Sequence, residues 1–158
     1  MKLLLDALEI PPSLSQVDLD MSKAWIETAL NAIEGQDPKA MELFFEDTAT
    51  MDLPGLPRIE GLEAIKQFYV WIIRSIVQMA IVVRSAKISP TGLAMDIEVK
   101  FDFKDTDSVV VVSTFDTKKD LLGKVKYGKA VGGELMPLWA KCEEVSGPFP
   151  AQAAKTMN

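Results

Sequence analysis

A chain without histidine must carry out any proton chemistry with other groups. The 158 residues contain no histidine and one cysteine, Cys142. The first count removes imidazole bases, Ser-His-Asp triads and zinc–water sites with histidine ligands. The second removes intrachain disulfides and cysteine-rich metal sites, so nothing argues for an oxidising compartment. Carboxylates, tyrosines, lysines, arginines or the shape of a pocket are left. Asp52 lies on a short predicted strand over 49–53, ahead of Pro54-Gly55-Leu56-Pro57, a strong turn signal. A partly desolvated aspartate there would have a raised pKa and could shuttle a proton, worth about 10²–10⁴-fold in rate. The alternative is an aspartate that caps the turn by bonding the backbone near 53–55. Glu134 follows Gly132-Gly133 and shares parity with Gly128, Ala130 and Gly132, small side chains that would leave room for a ligand beside a carboxylate. With the other parity, Val125, Tyr127, Val131 and Leu135 face inward and Glu134 is exposed, and a bulge at the glycine pair would switch one into the other. Cys142 has no activating neighbour in sequence and reads as inert.

The elements that must hold these groups follow from periodicity. Residues 1–19, with Pro11-Pro12, show neither helical nor strand period and read as an N-terminal arm. Asp20 or Ser22 can cap a helix carrying Trp25, Ile26, Ala29, Leu30 and Ile33 on one face, with Gly35 as its stop. Asp37-Pro38 restarts the chain into a short helix whose buried side is Ala40, Met41, Leu43, Phe44 and Phe45. Residues 58–60 form a second small strand, and Gly61 opens the longest helix, with Leu62, Ile65, Phe68, Tyr69, Ile72, Ile73 and Ile76 as a wide apolar stripe.

The period then drops to two, with strands expected over 79–88, 93–104, 109–116 and 123–135. The second alternates cleanly: Leu93, Met95, Ile97, Val99, Phe101 and Phe103 on one face, Asp96, Glu98, Lys100, Asp102 and Lys104 on the other. Residues 109–112 are apolar on both faces and are expected at the centre of the sheet. The order predicts one α+β domain over 20–145, a curved antiparallel sheet wrapped around N-terminal helices, followed by a flexible tail from 146 to 158.

Lys plus Arg is 17 against 23 for Asp plus Glu, a net charge of −6. That field repels a phosphate backbone, and the densest basic stretch, Lys118 through Lys129, is diluted by Asp120 and reads as turn plus strand edge; no nucleic-acid partner is expected. Asp6 and Glu9 break the apolar start Met1-Lys2-Leu3-Leu4-Leu5 before a signal core could form, and residues 71–83 are too short and interrupted to span a bilayer. A cytoplasmic protein with no membrane partner is the expectation.

Three segments carry a resemblance: Ala32-Ile33-Glu34-Gly35-Gln36-Asp37, then Phe45-Glu46-Asp47-Thr48-Ala49-Thr50-Met51, then Ile59-Glu60-Gly61-Leu62-Glu63-Ala64-Ile65-Lys66-Gln67-Phe68-Tyr69. In this order and spacing the chain resembles the nuclear-transport-factor-like superfamily, which includes ketosteroid isomerase, limonene epoxide hydrolase and SnoaL-like polyketide cyclases. The resemblance covers residue 21 to about 138. It implies a cone-shaped fold with an apolar pocket between sheet and helices, and no cofactor or metal. It also implies a homodimer through the convex sheet face, although the charged row from Asp96 to Lys104 makes that face more polar than an obligate contact.

The catalytic sets of these relatives transfer poorly. Scytalone-dehydratase-like chemistry depends on histidines. The steroid-isomerase base falls at Leu53, one residue after Asp52, its tyrosine near Thr28 and its acid near Ser108. The epoxide-hydrolase set falls at Thr50, Asp52, Glu98, Lys100 and Ala130, and burying Glu98 and Lys100 would turn the apolar row of that strand outward. What the resemblance leaves is Asp52 and Glu134 as proton carriers. Tyr69 matches a pocket tyrosine and would donate to a developing oxyanion, with Arg58 at the mouth. Trp25, Thr28, Phe101 and Gly132 would bind substrate. The function this implies is cofactor-free isomerisation or cyclisation of a hydrophobic small molecule, of polyketide or terpenoid type, by carboxylate acid–base catalysis. Epoxide opening by water held at Asp52 and Thr50, or a non-catalytic binding or dimerisation module, are the alternatives.

Overall fold

The structure, a computed structural model, describes residues 2–3, 8–9 and 14–150. Two short strands, β1 (Lys2–Leu3) and β2 (Leu8–Glu9), precede α1 (Gln16–Glu34), α2 (Ala40–Phe44), β3 (Phe45–Asp52), β4 (Ile59–Glu60) and α3 (Leu62–Ser75). The meander β5 (Ile76–Ser89), β6 (Gly92–Phe103), β7 (Ser108–Lys119) and β8 (Val125–Val131) follows, and α4 (Met136–Ser146) ends the regular structure. The strands form one sheet in the order β1-β5-β6-β7-β8-β3-β4, with β2 also on β5. The meander is antiparallel, whereas β8 runs parallel to β3 and closes the sheet toward the N-terminal helices. This is the expected α+β architecture. Among the described residues no helix is long and apolar enough to cross a membrane.

Helix α1 starts earlier than its periodicity suggests. Ser15 is the N-cap, its Oγ accepting from Asp18 N at 3.1 Å, while Asp20 is exposed and Ser22 is buried mid-helix. The exposed Val17 and Met21 spoil the apolar rhythm of the first turns, so residues 16–19 read as arm. The Gly35 N–H returns to Asn31 O at 2.9 Å and stops the helix. Asp37 acts as the expected acceptor, taking Lys39 N at 2.9 Å, but the turn it makes delays α2 to Ala40; Leu43 is exposed and Phe45 already belongs to β3.

The α3 stripe buries Ile65, Phe68, Tyr69, Trp71 and Ile72, and the chain passes from Ser75 into β5 without a loop. On β6 the predicted alternation holds: Leu93, Met95, Val99, Phe101 and Phe103 are buried and Ile97 half-buried. β7 is central as expected, but only Val111 is buried; Val110 and Val112 are about half exposed on the convex face.

The C-terminal part departs most from expectation. Leu135, Leu138, Trp139 and Cys142 share a helical face, and α4 lays it on α3, with the Trp139 ring 5.7 Å from Phe68 and 6.2 Å from Trp71. The segment from Ser146 does not fray at once. Ser146 Oγ lies 2.6 Å from Ser75 Oγ, Trp71 Nε1 donates to Gly147 O at 2.9 Å, and Phe149 is buried against Phe68 and Trp71. Residues 151–158 of the expected tail, and residues 1, 4–7 and 10–13 of the expected arm, lie outside the described residues.

β8 ends at Val131 because Gly132 and Gly133 both take positive φ, 73° and 80°. A Cβ on Gly133 would stand 2.2 Å from Val112 O, whereas one on Gly132 would meet nothing within 4 Å. Gly132→Ala therefore costs only left-handed backbone strain, about 1 kcal/mol, while Gly133→Ala adds a backbone clash and costs about 3 kcal/mol or more. Urea unfolding of the two variants checks this; equal midpoints would remove the tight-turn account of where β8 stops.

Candidate functional site

The concave side of the sheet and the helices enclose a cavity of about 190 Å³. Its wall comes from four directions: Leu30 and Ile33 of α1; Met41 and Phe44 of α2; Phe68, Tyr69 and Ile72 of α3; and the inward rows of the strands. Those rows are Phe45 and Met51 of β3, Met79 and Ile81 of β5, Met95, Ile97, Val99 and Phe101 of β6, and Phe115 of β7. Among the described residues no charged side chain lines it. Its one hydroxyl, on Tyr69, donates to Ile33 O at 2.6 Å, and burial pushes that phenol well above its usual pKa. Tyr69 thus reaches the wall as expected, but its proton is committed to the backbone.

The two candidate carboxylates do not meet in this cavity. On β3, Met51 points inward, so its neighbour Asp52 points to the convex side. There Arg58 Nε and Nη2 donate to both its oxygens at 2.9 and 2.7 Å, and Tyr127 OH donates to Oδ2 at 2.6 Å. The guanidinium first, then the phenol, hold the Asp52 carboxyl down to about 2, the reverse of the raised pKa expected of it. Asp52 clamps the β3–β4 connection through Arg58, and among the described residues it makes no bond to the backbone at 53–55, the alternative expected of it. Arg58 accordingly sits on the convex face, not at the mouth of the cone.

Glu134 is exposed, past the glycine turn that ends β8. The expected parity holds for Gly128, which is buried, and stops at Gly132, which is exposed. The room left by Gly128 is already taken: a Cβ there would lie 2.7 Å from Phe115 Cζ. Phe101 lines the cavity as expected. Thr28 does not; it is exposed on α1. Trp25 stands behind the wall, stacked on Phe44 at 5.0 Å with Lys119 Nζ 4.6 Å from its own ring centroid.

Two features went unseen in the sequence. Met51 and Met79 face the cavity beside Met41 and Met95, which the predicted apolar faces already held, and strand parity would have found both, since each shares a row with a neighbouring apolar residue. Lys119 is 6% exposed, its ammonium donating to Asp120 O at 2.8 Å and Leu121 O at 2.7 Å, and burial lowers its pKa. Among the described residues, no group of three or more metal-ligating side chains converges.

No family model matches the chain, and no curated protein matches it either. Solved structures do match. A candidate SnoaL-like polyketide cyclase from Jannaschia sp. CCS1 aligns with TM-score 0.64 at 12% identity, over 87% of this chain and 99% of that one. A protein of ketosteroid-isomerase-like fold from Catenulispora acidiphila, in complex with trimethylamine, aligns with TM-score 0.63 at 15% identity, over 81% and 95%. A nuclear transport factor 2-like superfamily protein from Salmonella enterica serovar Typhimurium gives 0.61 at 12% identity, over 75% and 92%. The fold is the nuclear-transport-factor-like cone. At these identities the likeness speaks for the fold alone, and the site must be argued from its own side chains.

The Asp52–Arg58–Tyr127 cluster has a pH signature. An aspartate whose folded pKa, about 2, lies below the ordinary value of 3.8 stabilises the folded state above the ordinary value, and that contribution is lost as pH falls toward 2. Asp52→Asn should therefore flatten the part of the stability–pH curve between about pH 4 and 2 while lowering stability at pH 7. Chemical denaturation across that range measures it, and an acid limb unchanged in Asp52→Asn would contradict the assigned ion pair.

Proposed function

We propose that this chain binds a small apolar molecule of terpenoid size inside its cone, without acid–base chemistry on it. The observation that carries this reading is the wall itself: about 190 Å³ of partly open space lined by aliphatic, methionine and aromatic side chains, with the Tyr69 hydroxyl already bonded to the backbone. An engineered apolar cavity of about 150 Å³ stays dry and accepts benzene, so a cavity of this size suits one ring or about ten carbon atoms. A tetracyclic polyketide would not fit. Methionines on facing walls suit a ligand of irregular outline, because their side chains repack at little cost.

At about 0.7 kcal/mol per non-hydrogen atom, inside the usual limits, a ten-atom ligand reaches a Kd on the order of 10 μM. Saturating p-cymene, a ten-carbon hydrocarbon, should then raise Tm, since a ligand held at 100 times its Kd stabilises by about 2.7 kcal/mol. Val99→Phe, which fills the cavity from β6, should abolish the Tm shift while leaving the unliganded Tm equal or higher. Absence of a shift in the wild type, or an equal shift in Val99→Phe, overturns the reading.

A second reading keeps the cavity and adds turnover. The similarity to the candidate SnoaL-like cyclase supports it, and the chemistry would come from holding the substrate in a reactive shape rather than from a placed acid and base. Under it, Asp52→Asn and Glu134→Gln each retain at least half of wild-type turnover, because neither carboxylate faces the cavity. A loss of tenfold or more in either variant, measured on a cyclisable substrate, would restore carboxylate catalysis.

A further inference from the structure

The convex face of the sheet carries a second recess, of about 470 Å³, lined by Arg58, Asp116, Lys118, Tyr127 and Lys129. These residues come from three places in the sequence. On β7 and β8, Asp116 lies opposite Lys129 and Lys118 opposite Tyr127, and the parallel pairing of β3 with β8 sets Asp52 beside Lys129. Arg58 joins through its two bonds to Asp52. Two cations stand close to the Tyr127 ring, Arg58 Cζ and Lys118 Nζ each 5.7 Å from its centroid.

The lining of this recess sets three cations, Arg58, Lys118 and Lys129, against one carboxylate, Asp116. Lys66, Arg84, Lys100, Lys126 and Lys141 each meet a carboxylate. Lys118 and Lys129 make no ion pair among the described residues, although the chain carries six more acids than bases. Asp52, beside Lys129 in the register, already accepts from Arg58 on both oxygens and from Tyr127 on Oδ2. Arg58 uses Nε and Nη2 on Asp52 and keeps the N–H groups of Nη1 for another acceptor.

We propose that this recess binds the oxyanion of a small molecule, a carboxylate or a phosphate group, between Arg58, Lys118 and Lys129. Its size is that of a small-molecule site. The net charge of −6 repels an extended polyanion at long range, which favours a small ligand over an acidic protein or a nucleic acid. Asp116, opposite Lys129, limits the local excess of positive charge, so the affinity is modest and sensitive to salt.

The test is a titration of the full chain with citrate and, separately, with inorganic phosphate at about 10 mM ionic strength, where charges act over roughly 30 Å, followed by backbone amide NMR. Saturable shifts centred on residues 116–118 and 127–129 are expected. The affinity should fall at least tenfold in Lys118→Gln/Lys129→Gln, by a smaller factor in either single variant, and again at about 150 mM salt, where the screening length is roughly 8 Å. Saturation by citrate alone identifies a carboxylate site and by phosphate alone a phosphate site, and both support the proposal. Unsaturable or scattered shifts, an affinity unchanged in all three variants, or binding of a tetraglutamate peptide with neither small anion would overturn it. The p-cymene response of the double variant should match the wild type, so failure of this site and failure of the apolar cavity are read separately.

Discussion

Burying an unpaired charge in an apolar interior costs several kcal/mol, and strands β3 and β6 obey that constraint. On β6 the period of two leaves no choice: with Met95, Ile97, Val99 and Phe101 against the helices, Asp96, Glu98, Lys100 and Asp102 must face the other way. Outside they find partners. Asp96 accepts from Ser85 and Thr114, Glu98 from Arg84, and Lys100 stands 3.6 Å from Asp102. The same rule on β3 sends Met51 inward and Asp52 out to Arg58. The absence of a proton carrier from the cavity wall is therefore a consequence of how the sheet is patterned, and one substitution on the wall could not supply one without paying this cost.

The rest of the architecture closes the cone around that wall. Helix α3 runs across it, and α4 with Phe149 locks α3 from behind through Phe68, Trp71 and Trp139. The Trp139 indole N–H reaches Pro54 O at 2.8 Å, so α4 also holds the turn between β3 and β4, the turn that Asp52 and Arg58 clamp from the convex side. Lys141 ties α4 to the β6–β7 hairpin through Asp105 and Asp107. The C-terminal helix thus fastens three separate parts of the sheet and helix layers.

Where local patterning alone decides the outcome, the sequence was a sufficient guide. The α3 stripe, the β6 alternation and the turn signals between meander strands are local, and they led to the right architecture. Three features depend on tertiary partners and could not be read this way. The first turns of α1 expose Val17 and Met21, so amphipathicity begins late although the Ser15 cap is present. The face of α4 becomes meaningful only against Phe68 and Trp71 on α3. The parity of β8 breaks twice, at the register shift opposite Lys118–Lys119 and at Gly132-Gly133, which is why Gly128 turned inward as expected while Glu134 left the sheet. The site is the least legible part, because residue type alone does not say which face of a strand a side chain takes. Asp52 was one residue from an inward position, and in a strand one residue is the whole difference between cavity and solvent.

Lys119 shows how far the interior excludes carboxylates. Its ammonium is buried, yet its partners are two backbone carbonyls and the face of Trp25, with no acid in contact. Carbonyl dipoles and an aromatic quadrupole can stabilise a cation without introducing a group that takes up a proton near neutral pH. Trp25 in turn stacks on Phe44, which belongs to the cavity wall. The charge thus stands one aromatic layer behind the cavity, satisfied by neutral groups, and brings no carboxylate to the wall. The convex recess has the opposite chemistry on the opposite face of the same strands, and β-strand alternation is what allows one sheet to carry both.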